Sequence, residues 1–587
     1  MVRVVPDVAA LDRALDYAVP PSLAGRVAVG AVVRVPLHGR RVRGWVVQEG
    51  VVADPSLQLS EVARVTGLGP DADVIGLCRW AAWRWAGRLP SLLRVATPER
   101  AVPSPLRRPA RHGNPGGGDP VAAGVLARGP GTHLLTVSPS ADPVAVALAA
   151  AGLGQALVVA PALGTVEAMA RGLGRAGVSV ARWPGGYAAG AGGHTVVGGR
   201  AAVFAPLPGL AAVVVWDEHD EGLQSESSPT WHARELAIER ARRAGVPCLL
   251  VSPCPSLEAR AAATTPPASA GPAERRRGWA PLVVVDRRHD DMARTGLYSE
   301  ALVEAVRTTR AAGERVVCVL NRTGRARLLA CRSCGTVAEC ERCGAAVQLP
   351  DGVELVCSRC GTTRPTVCLR CGATAMKLLR AGVTKAREDL EALLREPVGA
   401  VSATPAADTA DRMGAGRIGH EGVLIGTEAV LHRVGDAGLV AFLDVDQELL
   451  APRYRAAEEA LALLVLATRL VGGRTRGGRV LVQTRLPDHE VLAAAVRADP
   501  DLVAAAEGPR RDLLGLPPSG AVAAVGGEAA PEWVERLGRP PGVEVQGPRE
   551  GWWLLRADRV DTLCDALAAV PRPPGRLRLQ VDPARLP

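Results

Sequence analysis

VVVWDEHDEG, running from Val213 to Gly222, decides how the rest of the chain is read. Three valines running into a cluster of carboxylates is the pattern of a buried strand that delivers acids to a nucleotide site. In such a box the first carboxylate ends the strand and helps to hold Mg²⁺, and the next polarises the attacking water. Here Trp216 stands where the first acid is expected. The surroundings decide whether the box still works.

On both sides of it, strand and helix patterns alternate: HLLTVS (133–138), a helix over AVALAAAG, ALVVAPA (156–162), a helix over VEAMARGLGRAG, TVVGG, the box itself, and PCLLVSP (247–253). Apolar strands joined by helices indicate a parallel α/β sheet. A second alternating block starts at PLVVVDRR (281–288) and RVVCVLNRTG (315–324) and resumes with GVLIGTE and LVAFLDVD. At 587 residues the chain is too long for one core and divides into several domains. Residues 1–98 read as short strands with the arginine-rich turn HGRRVR, then a helix carrying Trp80, Trp83 and Trp85, whose rings suit core packing better than base stacking. Residues 99–128 are rich in Pro, Gly and Arg and read as a linker. Lobe 1 then covers 129–280, lobe 2 covers 281–515 with an insertion at 328–378, and 516–587 form a small α+β tail.

Two parallel α/β lobes with an acid box in the first suggest a nucleic-acid motor, whose phosphate loop comes directly after the first strand of lobe 1. Such a loop needs glycines whose N–H groups cradle phosphate, a lysine for the terminal phosphates and a Ser/Thr for Mg²⁺. Directly after HLLTV the chain reads SPSADPVAV, Ser138 to Val146, with no glycine or lysine, and with Pro139 and Pro143 removing two N–H donors. No lysine occurs anywhere in residues 1–376. Trp216 is therefore expected to plug the vacated cleft near Pro139 and Pro143 as ordinary core.

Of the 70 basic residues, Lys377 and Lys385 are the lysines and the other 68 are arginines, against 60 acids, for a formal net charge of +10. Arginine forks bind phosphate, so the balance favours nucleic acid without establishing it. Aromatic residues are only 3%, so Ala, Val and Leu must fill the interiors. No uncharged apolar run of about 18 residues is present, and the start MVRVVPDVAALDRALDY has no signal-peptide pattern, so a cytoplasmic protein without a membrane partner is expected.

Eight of the 13 cysteines form four CxxC pairs: Cys331/Cys334, Cys340/Cys343, Cys357/Cys360 and Cys368/Cys371. Each knuckle places two thiolates on a tight turn, with glycine directly after it at Gly335, Gly344, Gly361 and Gly372. Two pairs make one tetrahedral Cys₄ site, so the segment can hold two zinc ions, closed by protein ligands and hence structural. A disulfide framework suits small secreted domains instead. Two such sites carry about −2 each, which lowers the effective net charge to roughly +6.

These pieces together resemble PriA, the replication restart family within the superfamily-two helicases. The resemblance runs through LDYAVP (15–20), GAVVRVPLHGRRVRGWVV (30–47), the box with its upstream VVGGRAAVFAPLPG, WHARELAIERA (231–241) and SPCPSLEA (252–259). It continues through LNRTGRARLLACRSCG (320–335), IGTEAVL, FLDVDQELLAPRYRAAEEA (442–460), VLVQT, LLGLPPSG and the terminal VDP. It implies an α/β fold of two RecA-like helicase lobes, an N-terminal β-rich domain that binds the 3′ end of a nascent strand, a two-zinc insertion and an α+β C-terminal domain for DNA or partners. It also implies a nested metal pairing, with Cys331, Cys334, Cys368 and Cys371 on one zinc and Cys340, Cys343, Cys357 and Cys360 on the other. For DNA it implies Asp16 and Tyr17 near a 3′ terminus and, on the hairpin, Arg34, Arg40, Arg41 and Arg43 on phosphates.

The chain departs from the family where the family uses ATP. SPSADPV replaces the phosphate loop, the DEEH box becomes Trp216-Asp217-Glu218-His219, and the arginine-finger segment reads LATRLVGGR, with Arg469 and Arg474 as survivors only in a shifted register. Leu15 replaces an aromatic residue, and 99–128 is too short for the expected winged helix. The pattern is that of the degenerate actinobacterial type. It favours a non-motor protein, without catalytic residues or ATP as cofactor, that binds stalled or abandoned forks and junction DNA. Its partners would be other primosome proteins, the helicase-loading machinery and single-strand binding protein, on the nucleoid. Two other readings remain open: an active 3′-to-5′ helicase with a divergent nucleotide site, and a zinc-ribbon nucleic-acid-binding assembly factor.

Overall fold

A computed structural model describes residues 1–586 except 9–10, 53–57, 291–295, 321–328, 351, 358, 379–382 and 402–420. Most of the LNRTGRAR motif, and the first residue of the 328–378 insertion, therefore lie outside the described residues. No described helix is long and apolar enough to cross a membrane.

The N-terminal domain is a five-stranded antiparallel sheet, in spatial order Leu15–Tyr17, Val2–Pro6, Arg40–Glu49, Ala31–Leu37 and Arg64–Leu68. Its central hairpin closes through His38 and Gly39, both with positive φ, the two-residue turn whose twist suits paired strands. Alternation places Val33, Val35 and Val46 with Val4 and Tyr17 on one buried face, and Val32 and Trp45 on the other against the helices Ala72–Arg84 and Leu89–Val95. The tryptophans of the first helix pack: Trp80 meets Trp85 edge to face at 5.6 Å, and Trp83 Nε1 donates to Asp565 at 2.9 Å in the C-terminal domain.

The 99–128 stretch is irregular up to Asp119, but its end is not a linker. Pro120–Leu126 is a helix, capped by Asp119, that buries Ala122, Val125 and Leu126 in the lobe 1 core. An Asp-Pro helix start was hidden there within a Pro/Gly-rich composition.

Lobe 1 is a seven-stranded parallel sheet with Pro247–Ser252 and Leu210–Trp216 at its centre, flanked by Gly131–Thr136 and Gln155–Val159. Lobe 2 is a six-stranded parallel sheet, in order Leu282–Asp286, Arg479–Thr484, Leu439–Phe442, Val316–Val319, Val423–Gly426 and Val398–Val401. Each is filled by Val, Ala and Leu, as the shortage of aromatics requires. The cysteine segment forms two small antiparallel sheets. The C-terminal domain is a four-stranded antiparallel sheet with the helices Ala530–Leu537 and Val560–Ala568. It is tied back to the first helix of the chain through Arg84, which pairs with Asp582 at 2.5 Å and with Glu235 of lobe 1 at 2.8 Å.

Candidate nucleic-acid interface and metal centres

The acid box lies at the end of a central strand of lobe 1, and each of its members is already engaged. Trp216 is 2% exposed, in one cluster with Val137, Val146 and Val251. Asp217 is held by both terminal nitrogens of Arg469, each at 2.7 Å, and Arg469 belongs to the helix Ala456–Val471 of lobe 2. Burial by itself would raise the Asp217 carboxyl; the Arg469 charge and hydrogen bonds bring it below its ordinary 3.8. Glu218 is fully buried and accepts from Arg234 at 3.0 Å and from the amide and hydroxyl of Ser256 at 2.8 and 2.7 Å. His219 Nδ1 meets Ser252 Oγ at 2.8 Å.

The segment expected to carry a phosphate loop is filled in the same way. Arg469 Nε donates to the carbonyl of Pro139 at 3.1 Å. The next helix, Pro143–Ala151, is capped by its own acid, Asp142, which accepts from Val144 N at 2.9 Å. A carboxylate thus sits where a helix N-terminus would attract a phosphate. Gly278 closes the loop from above, so near that a Cβ there would overlap Ser138. Arg474, the other arginine of LATRLVGGR, donates to the carbonyl of Arg276 at 3.0 Å.

A second cluster joins the lobes. Glu258 of lobe 1 accepts from Arg455 at 2.7 Å and Arg511 at 3.2 Å, and Glu458 accepts from Leu257 N at 2.8 Å. Arg455 and Arg511 lie over the Tyr454 ring at 5.1 and 5.3 Å. Burial works against the Glu258 carboxylate, yet the two arginines hold it below the ordinary 4.5.

The cysteines come together in two groups of four: Cys331, Cys334, Cys368 and Cys371, and Cys340, Cys343, Cys357 and Cys360, each with all sulfurs within 4.8 Å of one another. The sulfurs of Cys331 and Cys371 are 3.5 Å apart, those of Cys334 and Cys368 3.6 Å, and the pairs Cys340/Cys360 and Cys343/Cys357 are both at 3.5 Å. These spacings are far beyond a disulfide's ~2.05 Å. They approach the ~3.8 Å between thiolates placed ~2.3 Å from one tetrahedral ion. Each group can hold a metal ion. The four knuckles repeat one design: the first cysteine's carbonyl accepts from the glycine four residues on, at 3.0 Å for Gly335 and 2.9 Å for Gly344, Gly361 and Gly372. All four glycines have φ between +70° and +74°, so they suit this turn.

In the N-terminal sheet, Arg40 and Arg41 are exposed beside the hairpin turn. Arg43 pairs with Asp7 at 2.6 Å and lies over Trp45 at 5.4 Å, and Asp7 also takes Arg94 at 2.6 Å. Register puts Arg34 directly opposite Arg43 on one neighbouring strand and opposite Arg64 on the other. Three arginines thus cross three strands side by side, an arrangement that costs stability. Among the described residues neither Arg34 nor Arg64 has an acidic partner. The linear sequence hides Arg64, because its place beside Arg34 depends on a strand pairing 30 residues away. Asp16 is paired with Arg3 at 2.8 Å, chiefly a side-chain hydrogen bond, which keeps its carboxyl below the usual range. Tyr17 is 3% exposed and its hydroxyl donates to the Pro36 carbonyl at 3.1 Å.

Comparison with known proteins agrees with this arrangement. Residues 3–98 match the family described as the PriA 3′DNA-binding domain (3′BD). The chain is 32% identical to the probable replication restart protein PriA of Mycobacterium leprae over 92% of this chain and 89% of that protein. It is 30% identical to that of Mycobacterium tuberculosis over 98% of this chain and 92% of the relative. Against the replication restart protein PriA of Bacillus subtilis the match is 30% identical over 50% of this chain and 38% of the other. With 30–32% identity over nearly the whole length of the mycobacterial proteins, the chain belongs to the PriA family of replication restart proteins.

Proposed function

We propose that this protein recognises abandoned replication forks and serves as a platform for reloading the replicative helicase, without helicase activity of its own. The observation that carries the reading is the interlobe arginine: Arg469 occupies both oxygens of Asp217 and the Pro139 carbonyl, the places where a motor would keep magnesium, water and phosphate. Without a lysine in residues 1–376, nothing in lobe 1 supplies the usual charge for the terminal phosphates. The N-terminal domain would contact the fork, with Arg34, Arg40, Arg41 and Arg64 on phosphates and Asp16 and Tyr17 shaping the region near a 3′ terminus. The two Cys₄ groups would each hold a structural zinc ion that folds the insertion. Partners would be primosome proteins, the loading machinery and single-strand binding protein, in the cytoplasm at the nucleoid. The test is fork binding by the full-length protein with and without ATP. Equal affinity in both conditions, and preference for a fork over plain duplex, supports the reading; ATP-dependent release refutes it.

A further inference from the structure

Between the N-terminal domain and lobe 1, residues 99–119 form no helix or strand, yet their main chain is fastened along its length. The Val102 carbonyl accepts from Leu68 N at 2.7 Å, on the outer strand of the N-terminal sheet. Leu106 N then donates at 2.7 Å to the carbonyl of Ala188, in the lobe 1 helix Tyr187–Ala191. Arg111 is held through both main-chain groups by Ser179, next to the edge strand Val180–Arg182. Its N–H donates to Ser179 Oγ at 3.0 Å, and its carbonyl accepts from Ser179 N at 2.8 Å. Gly113 N and Asp119 N reach the Ala151 and Ala145 carbonyls of the helix Pro143–Ala151, both at 2.9 Å. Lobe 1 is shaped to receive the chain: a Cβ on Gly152 or Gly192 would come within 2.7 or 2.4 Å of the Asn114 and Leu106 carbonyls. Pro103, Pro105, Pro109 and Pro115 fix φ at four positions, which lowers the entropy lost on docking. The segment is a strap laid along lobe 1.

Its main chain is engaged; its cations are not. Arg100, Arg107, Arg108 and Arg111 are all exposed, and among the described residues none has an acidic partner or a side-chain hydrogen bond. No Asp or Glu occurs from Arg100 to Gly118, and Asp119 is taken by the amide of Ala122 at 2.7 Å. A connection between two domains needs no guanidinium groups, and a row of like charges costs stability. The row also continues the arginine set of the N-terminal sheet. The strap is bonded to the strand that carries Arg64, and exposed Arg26 lines a cleft of about 520 Å³ whose walls include Pro103 and Pro105.

We infer that the strap is a phosphate rail on lobe 1, where Arg107, Arg108 and Arg111 grip the backbone of double-stranded DNA without reading its sequence. The three lie within five residues, a span of at most about 17 Å. Over that length one strand of a duplex presents about five phosphates. Guanidinium forks match phosphate oxygens, and held on a docked main chain they lose little freedom on binding. Contacts of this kind position a duplex and carry no sequence information. An anionic membrane would ask for a basic helix with apolar anchors, whereas the strap has no helix and, among the described residues, exposes Leu106 alone of its large apolar side chains. The inference rests on the fork-binding reading and extends it, because it gives the duplex arm of the fork a seat on lobe 1 beyond the N-terminal sheet.

The experiment is titration of the full-length protein with a fluorescent dumbbell duplex, both ends closed by hairpin loops so that neither a 3′ terminus nor a fork is on offer. Each of Arg107→Gln, Arg108→Gln and Arg111→Gln should lower the slope of log K against log[salt] by about 0.9. Between 50 and 200 mM salt the triple variant should therefore lose roughly 40-fold less affinity than wild type. The triple Lys variant should keep the wild-type slope, since charge sets it. The bonds that dock the strap are main-chain, so the melting temperature should hold; if the triple Gln variant melts lower, the three single variants decide. Unchanged dumbbell affinity and slope in a normally folded Gln variant overturns the inference. So does a loss confined to vesicles of anionic lipid or to polyglutamate, with the duplex unaffected. The ratio of fork to dumbbell affinity should be the same in wild type and variant. If wild type shows no fork preference but binds the dumbbell through these arginines, the proposed function fails and the rail stands. If fork preference is present and the triple Gln variant binds the dumbbell as wild type does, the rail fails and the function stands.

Discussion

Arg469 of lobe 2 grips both carboxylate oxygens of Asp217 of lobe 1 at 2.7 Å, the two residues being 252 positions apart in the chain. Asp217 is nearly buried and Arg469 about a quarter exposed, so the pair is shielded from water and salt far more than a surface bridge. A charge-assisted, bidentate contact of this kind bridges the two lobes, and in the proposed non-motor reading it holds the angle between them, where a motor needs that angle to change with its nucleotide.

Removing one partner strands the other. Asp217→Asn or Arg469→Gln should each destabilise the protein by roughly 2–4 kcal/mol, the range for breaking a buried pair, discounted for the partial exposure of Arg469. The double variant should recover part of that loss, since neither charge is then left alone. Because the Asp217 carboxyl is held below 3.8, the pair's contribution is complete above about that pH and is lost as pH falls through its lower native value. Thermal melts of wild type and Asp217→Asn should therefore differ by a constant amount from pH 5 to 8 and converge in stronger acid.

Trp216 gives a second expectation. Truncation to Ala should cost roughly 3–5 kcal/mol, as for any large buried side chain. Trp216→Asp restores an acid to the box but buries a charge in a cluster of Val and Ala, so it should melt earlier still. It should gain no hydrolysis, because Asp142 and Arg469 still fill the phosphate side. A stable Trp216→Asp protein that hydrolyses ATP would show that the cleft is open after all.

The metal content is set by the thiol geometry. Purified protein should carry two zinc ions per chain, and Cys340→Ser should reduce this to about one. Limited proteolysis of that variant should cut within 328–378 and spare the two parallel sheets, which have cores of their own. One zinc or none in gently purified wild type would contradict the paired-knuckle arrangement.

In the N-terminal sheet, stability and binding should move in opposite directions. Arg64→Gln removes a like charge facing Arg34, so the melting temperature should stay level or rise slightly. Fork affinity should nonetheless fall, with the salt slope reduced by about one. A residue kept for packing would give the reverse. Tyr17 differs in carrying stability itself: Tyr17→Phe loses one hydrogen bond worth about 1 kcal/mol, and Tyr17→Ala unsettles the sheet and with it the proposed 3′-end region.

What the sequence made legible was local. The CxxC spacings announced two four-thiol groups because each knuckle closes within five residues through its own glycine. Valine-rich runs announced the parallel strands, and the lack of a phosphate loop or lysine in lobe 1 announced that Trp216 joins the core. What stayed hidden needed contacts distant in sequence. Arg469 read as a displaced finger residue, since nothing near it reveals that Asp217 lies within reach. Arg64 was invisible without strand register, and the burial of Tyr17 was masked by its place on a three-residue edge strand. The helix Pro120–Leu126 was lost in a composition typical of linkers, although Asp119-Pro120 is a sound helix start.

Whether the lobes form a fixed frame in place of an engine is decided by steady-state ATPase activity of the full-length, zinc-loaded protein at saturating fork DNA. The expected result is turnover indistinguishable from a no-protein blank, with or without DNA, and fork affinity that ATP leaves unchanged. Turnover stimulated by fork DNA and abolished by Asp217→Asn would contradict the fixed frame, since Asp217 would then be serving a nucleotide where the structure has it serving Arg469.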